Sequence, residues 1–393
     1  MAMHLTRRGA LVGTTAAALL PSMARAADGP VKIGLILPMT GPTQSTGIQS
    51  QAAARLFMQQ HGSAVAGRTI ELIVRDDAGV PDNTRRLAQE LVVRDKISVL
   101  LGFGLTPLAL ATAPVATQAK IPMVVTVAAT SSIMDASPFI VRVSQTVGQE
   151  AVVMAEWAAK NGVKKVVTLV SDYGPGADAE KWFSERAKSG GIEVLANLRV
   201  PLASPDFAPF LQRVRDAAPD ALFIFVPAGV GGAVVRQFVE RGMDKSGIRL
   251  IGTGDVLDDD QLSAMGDVVL GAVTAGPYSA YHQSALNKTF QADFRKANNG
   301  MRANFIACFA YDGMALIYRA LEQTKGDSTG TALVEAMRTQ AFESPRGPIS
   351  IDPATRDIVQ NIYVRKVEKK DGELYNVEFA TFEKVHDPAK TGS

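Results

Sequence analysis

Strand-length apolar runs alternate with segments of helical periodicity from residue 31 onward, and that alternation restricts the fold more than any other feature. "VKIGLIL" leads into "GIQSQAAARLFMQQH", "TIELIVRDD" into "NTRRLAQELVVRD", and "ISVLLG" into "PLALATAPVATQAK" before "PMVVTV". Period-2 or continuous apolar runs specify strands, and 3.6-residue periodicity specifies helices. Continuous runs such as "VLLG" and "MVVTV" suit parallel strands covered by helices on both faces. The pattern then restarts with "AVVMAEWAAKNG", "KKVVTLV", a helix expected over about Gly176 to Ser189, "IEVLANLRV", "FAPFLQRVRDA", "DALFIFV", "GAVVRQFVERG" and "IRLIGT". At 393 residues the chain exceeds the size of a single core. Two successive α/β units therefore predict two Rossmann-like lobes with parallel-sheet cores, the first boundary lying between Arg142 and Glu150. Later helices are expected near Leu286 to Lys296 and Phe305 to Glu322, and late strands at "NIYVRKVEKK" and "ELYNVEFATFEKV".

The N-terminus reads as an export signal. Arg7 and Arg8 precede an apolar run from Ala10 to Leu20, and Ala24 and Ala26 supply the small residues that a signal peptidase needs. Cleavage after Ala26 is expected. The arginine pair suggests twin-arginine export, with an ordinary secretory route as the alternative. Of 41 Lys and Arg, three lie in this leader, which carries no acid, so 38 remain against 39 Asp and Glu. A neutral mature chain lacks the basic excess of a nucleic-acid binder. No later run reaches membrane-spanning length. The lone Cys308 is expected to be a buried apolar residue.

Ligands of open α/β sheets sit beyond the carboxyl ends of the strands. Four loops at such places, "PMTGPTQSTG", "GFGLTP", "AATSS" and "SDYGPG", are small, hydroxylic or Gly-rich. None is a phosphate cradle: after Gly229 and Gly231 the third position is Val234, and after Gly102 and Gly104 it is Pro107. The histidines His4, His61, His282 and His386 are isolated in sequence, without a nucleophile-base or zinc-binding motif, so neither an enzyme nor a metal or cofactor site is expected. Asp258 to Asp260 are expected to cap a helix and solvate its face, and Asp76 and Asp77 to organise a turn. In "LTPLALATAPVA", Thr106 as N-cap and Pro107 as first helical residue would present free N–H groups to a carboxylate. The loop Ala128, Ala129, Thr130 repeats the arrangement, its carbonyls being available to a ligand ammonium.

In order and spacing, these segments resemble the branched-chain amino acid type of periplasmic solute-binding protein, which serves ABC importers on the type I periplasmic binding fold. The resemblance implies two lobes joined by a three-crossover hinge: lobe 1 over 30–142 and 278–342, lobe 2 over 143–277 and 343–385, then a polar tail at 386–393. It implies that Thr106 holds a ligand carboxylate, that Ala128, Ala129 and Thr130 give carbonyl and hydroxyl contacts, that Tyr173 covers the ligand from lobe 2, and that Thr46 and Phe305 stand near family aromatic positions. Amino-acid binders of this type place an acid, usually Glu, where this chain has Gly254, with Asp255 next to it. A buried ammonium without a carboxylate is costly by several kcal/mol. Either Asp255 replaces that acid, or the ligand is a carboxylate without an amino group, such as an aromatic carboxylate or a 2-oxo acid. The implied partners are this ligand and inner-membrane permease and ATPase subunits, the protein being a periplasmic monomer. A periplasmic sensor on the same fold and an exported α/β enzyme are the rival readings.

Overall fold

In the computed structural model, Met1, residues 29–203 and residues 205–390 are described. The expected leader and its cleavage site after Ala26 lie outside the described residues.

Two sheets organise the chain. The first contains β1 (Val31–Leu37), β2 (Ala64–Val65), β3 (Arg68–Asp76), β4 (Val99–Gly102), β5 (Met123–Val125) and β6 (Ile140–Arg142), in the order β2-β3-β1-β4-β5-β6. All its pairings are parallel except β2 with β3. The second contains β7 (Lys165–Ser171), β8 (Glu193–Val200), β9 (Ala221–Phe225), β10 (Arg249–Thr253), β11 (Val273–Gly276), β12 (Ala341–Ser344), β13 (Gly347–Ile351), β14 (Ile358–Lys370) and β15 (Glu373–Val385). Its order is β12-β13-β14-β11-β10-β9-β7-β8, with β15 also paired to β14. Strands β7 to β11 pair in parallel, whereas β14 joins β11 antiparallel.

Side-chain alternation divides each strand between two helical layers. In β1, Val31, Ile33, Leu35 and Leu37 enter one core and Ile36 the opposite one. In β9, Ala221, Phe223 and Phe225 face one layer while Leu222 and Ile224 face the other. Both sheets are thus covered on both faces, as their near-continuous apolar strands require.

Among the helices, α1 (Gln44–His61), α2 (Pro81–Glu90) and α3 (Thr106–Ala119) cover the first sheet, and α4 (Val147–Lys160), α5 (Gly174–Ser189), α6 (Ala208–Ala217) and α7 (Gly231–Glu240) cover the second. After a short α8 (Leu262–Met265) and β11, the chain returns: α9 (Ala285–Ala297), α10 (Phe305–Gln323) and α11 (Gly330–Met337) pack on the first sheet. It then crosses back at β12, which lies in the second sheet. The chain therefore passes between lobes three times.

Two buried ion pairs fasten these crossovers. Arg142, at the end of β6, donates from Nε and Nη2 to the two oxygens of Asp357 at 2.8 and 2.5 Å. Arg346 donates to Asp312 of α10 at 2.9 Å and to the carbonyls of Val143 and Ser144 at 2.6 and 3.0 Å. The described residues of the polar tail pack back on the first lobe. Asp387 is buried and accepts from Ser131 Oγ at 2.9 Å, and Lys390 reaches Asp135 at 2.6 Å. The polar side chains there found partners on the first lobe.

Two acidic expectations have different outcomes. Asp76 and Asp77 do organise a turn, accepting from the N–H groups of Met39, Ala78 and Gly79 and from Thr84. Asp258 and Asp259, by contrast, are buried and cap nothing. Asp258 accepts from Asn304 at 2.9 Å, Asp259 from Asn376 at 3.0 Å and from Ala280 N–H at 3.1 Å. The return of α10 and β15 over this loop took the acids out of solvent. Cys308 is buried, as expected, and burial pushes its thiol well up.

Candidate functional site

The two lobes meet across a cavity at the carboxyl ends of their parallel strands. The cavity is nearly closed, with about 20 Å³ of free space between its lining atoms. From the first lobe come Thr43 and Thr46, Gly104 to Thr106, and Val127 to Ala129; from the second come Tyr173, Pro175, Phe225, Pro227, Ala228 and Asp255. Direct contacts hold the lobes together beside it. Ser131 N–H donates to Asp178 at 2.9 Å, and Ser45 Oγ to Asp260 at 2.8 Å. Gly174 lies so close to the first lobe that a Cβ there would be 2.7 Å from Thr130 Oγ1.

Thr106, expected to be the N-cap of α3, is instead its first helical residue, and Leu105 is the N-cap without a side-chain capping bond. Its hydroxyl pairs with that of Thr130, 2.9 Å away, and can accept from it while keeping its own proton for another acceptor. The N–H groups of Leu108 and Ala109 return to the Leu105 carbonyl, and Pro107 has none, so Thr106 alone brings an N–H to the cavity edge from this turn. Thr130 itself does not line the cavity but supports Thr106 from behind, and its carbonyl accepts from Arg142 Nη1 at 2.7 Å. The Ala129 carbonyl accepts from Val147 N–H at 3.1 Å, which ties the loop to the first turn of α4.

On the opposite wall the Tyr173 ring stacks on Phe225, with centroids 6.0 Å apart and planes at 21°. Burial, reinforced by the Asp255 carboxylate, pushes the Tyr173 phenol well up, so it stays a neutral donor. Asp255 sits in the tight turn Gly254–Leu257 that follows β10. Its carboxylate accepts from Gln145 Nε2 at 3.3 Å. Burial raises its pKa to about 6, against the pull of its own backbone N–H, Arg365, Thr253 and Gln145. Behind it, Glu150 of α4 accepts from Gly254 N–H at 3.0 Å and is held well above the ordinary carboxyl range by burial and by Asp255.

Six of the eight residues singled out from the sequence thus line one cavity: Thr46, Thr106, Ala128, Ala129, Tyr173 and Asp255. Thr130 stands directly behind it. Phe305 does not reach it: the ring is buried in the first core against Phe309, centroids 5.5 Å apart. The preceding Asn304 caps α10 while bonded to Asp258, and that anchor turns Phe305 inward. Sequence reasoning missed Leu105, Val127 and Phe225, whose apolar character marked them only as core. It also missed Glu150 and Arg365, which reach the Asp255 turn from α4 and β14. The histidines remain apart. His61 meets Tyr311 at 3.1 Å, His282 pairs with Glu378 at 2.8 Å and His386 with Asp352 at 3.5 Å. Among the described residues there is no group of His, Cys, Asp and Glu that would hold a metal, and no helix long and apolar enough to cross a membrane.

Comparison with known proteins agrees with this architecture. Residues 30–373 match the family described as "Periplasmic binding protein". The chain is 42% identical over 362 residues to Leu/Ile/Val-binding protein homolog 6 of Brucella abortus, covering 91% of this chain and 93% of that protein. Among solved structures, a solute-binding protein of an ABC transporter from Rhodopseudomonas palustris BisB5, in complex with 3,4-dihydroxybenzoic acid, is 58% identical; it has a TM-score of 0.91 and covers 92% of this chain and 99% of its own. Another from R. palustris, in complex with 4-hydroxybenzoate, is 39% identical with a TM-score of 0.89, covering 93% and 100%. With two lobes built on mostly parallel sheets, three crossovers and a cavity between the strand ends, the chain belongs to the periplasmic binding protein family and has its type I fold.

Proposed function

We propose that this protein is the exported, periplasmic solute-binding component of an ABC importer and that its ligand is a hydroxylated aromatic carboxylate. One observation carries the reading: the cavity has apolar and aromatic walls, N–H and hydroxyl groups on the first-lobe side, and the Asp255 carboxylate on the second-lobe side. Tyr173, Phe225, Pro175, Leu105 and Val127 offer surfaces for an aromatic ring. Thr106, at the N-terminus of α3, receives the ligand carboxylate. Asp255 accepts the ligand hydroxyl. Ligands of this kind in the 58% and 39% identical proteins support the assignment. Binding bridges the lobes and favours their closed arrangement, which the permease and ATPase subunits then recognise. The leader, cleaved after Ala26, directs export.

The second reading, an amino acid whose ammonium meets Asp255, is favoured by the names of the curated relatives. A thermal-shift screen separates the two. The mature protein is expected to be stabilised by 4-hydroxybenzoate or 3,4-dihydroxybenzoate, by about 2.7 kcal/mol at 100 times the dissociation constant. Leucine and 2-oxo acids should leave its melting temperature unchanged. Stabilisation by leucine and not by the aromatic acids would reverse the assignment.

The pH dependence follows from Asp255. Its carboxyl titrates near 6, and the ionised form is the stronger acceptor for a phenol. A hydroxyl donated to that anion lowers its pKa in the complex, so binding releases a proton below 6. Affinity for 4-hydroxybenzoate should therefore rise from pH 5 to about 6.5 and then level, by up to about tenfold per unit at the steepest. Benzoate, which lacks the donor, should show no such rise. Calorimetry with both ligands checks this.

A further inference from the structure

The floor of the cavity contains more charge than an acceptor for one hydroxyl needs. Asp255 faces Glu150 of α4, Arg365 of β14, the Tyr173 phenol at the start of α5, and Asp258 from its own loop. Arg365 is 1% exposed and reaches this place from the antiparallel strand that closes the sheet. Its guanidinium packs against two glycines. A Cβ at Gly254 would stand 2.8 Å from Nη2, and one at Gly276 would stand 3.0 Å from Cζ. The guanidinium donates to the Tyr278 carbonyl and, at 3.1 Å, to Thr274 Oγ1, while Nε has no partner. Glu150 Oε1 and Gln145 Oε1 are likewise buried without a partner. A glutamate at 254, the acid expected for an amino-acid ligand, would require this guanidinium to shift.

We propose, resting on the aromatic-carboxylate reading above, that Arg365 is a positioning residue that reserves Asp255 for a neutral hydroxyl and makes the cleft reject ligands bearing an ammonium in its place. Arg365 supplies the buried positive charge that Asp255 needs, so a second cation beside that carboxylate is redundant and is repelled by the first. Asp255 and burial raise the Glu150 pKa, whereas Arg365 is the cation that favours ionised Asp255. Arg365 therefore bears on where Asp255 titrates, and with it on which ligand end the cavity accepts.

The test compares 4-hydroxybenzoate with 4-(aminomethyl)benzoate, which places an ammonium where the hydroxyl would lie, by calorimetry from pH 5 to 8 on the mature protein and on the variant Arg365→Gln. The unaltered protein should prefer the hydroxyl compound by at least about a hundredfold. In Arg365→Gln the midpoint of the 4-hydroxybenzoate pH profile should move up by about one unit or more, and the preference should shrink by at least about tenfold. If Arg365→Gln does not fold, Arg365→Met, which keeps the side-chain stem without the charge, makes the same comparison. Equal binding of the two compounds by the unaltered protein overturns the proposal, as does an unmoved midpoint in a folded variant. If neither compound nor any benzoate binds, the ligand reading itself fails, a result distinct from binding without discrimination.

Discussion

Replacing Asp357 with alanine will destabilise the protein by about 3–5 kcal/mol, the usual cost of stranding one partner of a buried ion pair. The Arg142 side chain is fully buried and that of Asp357 is 3% exposed, so no solvent replaces the lost carboxylate. Both oxygens of Asp357 are used by the guanidinium, a paired geometry that makes each bond short and directional. The effect extends to the site. Arg142 also holds the Thr130 carbonyl, and Thr130 supports Thr106, so the variant should bind 4-hydroxybenzoate more weakly even where it remains folded. Urea unfolding measures the first effect and calorimetry the second. A loss below 1 kcal/mol would show that the crossover at Asp357 is held by other contacts. Replacing Arg142 and Asp357 together with apolar residues of similar volume should recover part of the stability, because the stranded charge is gone.

Thr106→Ala should weaken 4-hydroxybenzoate binding by roughly 1.5–3 kcal/mol, about 10- to 150-fold, on the scale of a hydrogen bond to a charged group. Two losses add. The ligand carboxylate forfeits a hydroxyl donor, and Thr130 loses the partner 2.9 Å away that orients its own hydroxyl. The backbone N–H of residue 106 survives, so binding is weakened and not abolished. Because the side chain forms no helix cap, the stability lost without ligand should be limited to the buried bond to Thr130, about 1 kcal/mol. An unchanged affinity in a folded Thr106→Ala protein would remove Thr106 from the role of carboxylate anchor.

Much of the fold was legible because its signals are local. Strand β15 runs over Glu373–Val385, as its apolar alternation indicates, and α10 over Phe305–Gln323 follows a helical period to within a residue. The cavity was legible through the rule that ligands gather at the carboxyl ends of parallel strands, together with the family resemblance, which singled out Asp255 and gave Thr46 and Tyr173 their roles. Together these brought Thr46, Thr106, the Ala128 loop, Tyr173 and Asp255 to one place across wide separations in sequence. Where reading failed, a distant element had intervened. Asp258 and Asp259 follow a strand and precede "QLSAM", which locally indicates a solvated cap, yet Asn304 and Asn376 arrive from α10 and β15 to bury them. Phe305 falls near a family aromatic position, but the Asn304 anchor turns its ring into the core.

Gly254 shows the division most clearly. The sequence by itself determined the two α/β lobes and the absence of a nucleotide loop or catalytic motif, and the family resemblance added the expectation that Gly254 stands where an amino-acid binder of this kind has an acid. Hydrophobic period and turn chemistry are encoded within a few residues, so they survive without knowledge of the rest of the chain. Only the tertiary structure decided why that position is glycine. The guanidinium that fills the space belongs to β14, and it reaches Gly254 because the third crossover lays that strand antiparallel beside β11. Pairing between such distant segments depends on packing that no local pattern specifies, and in this protein that packing decides what the floor of the cleft can hold.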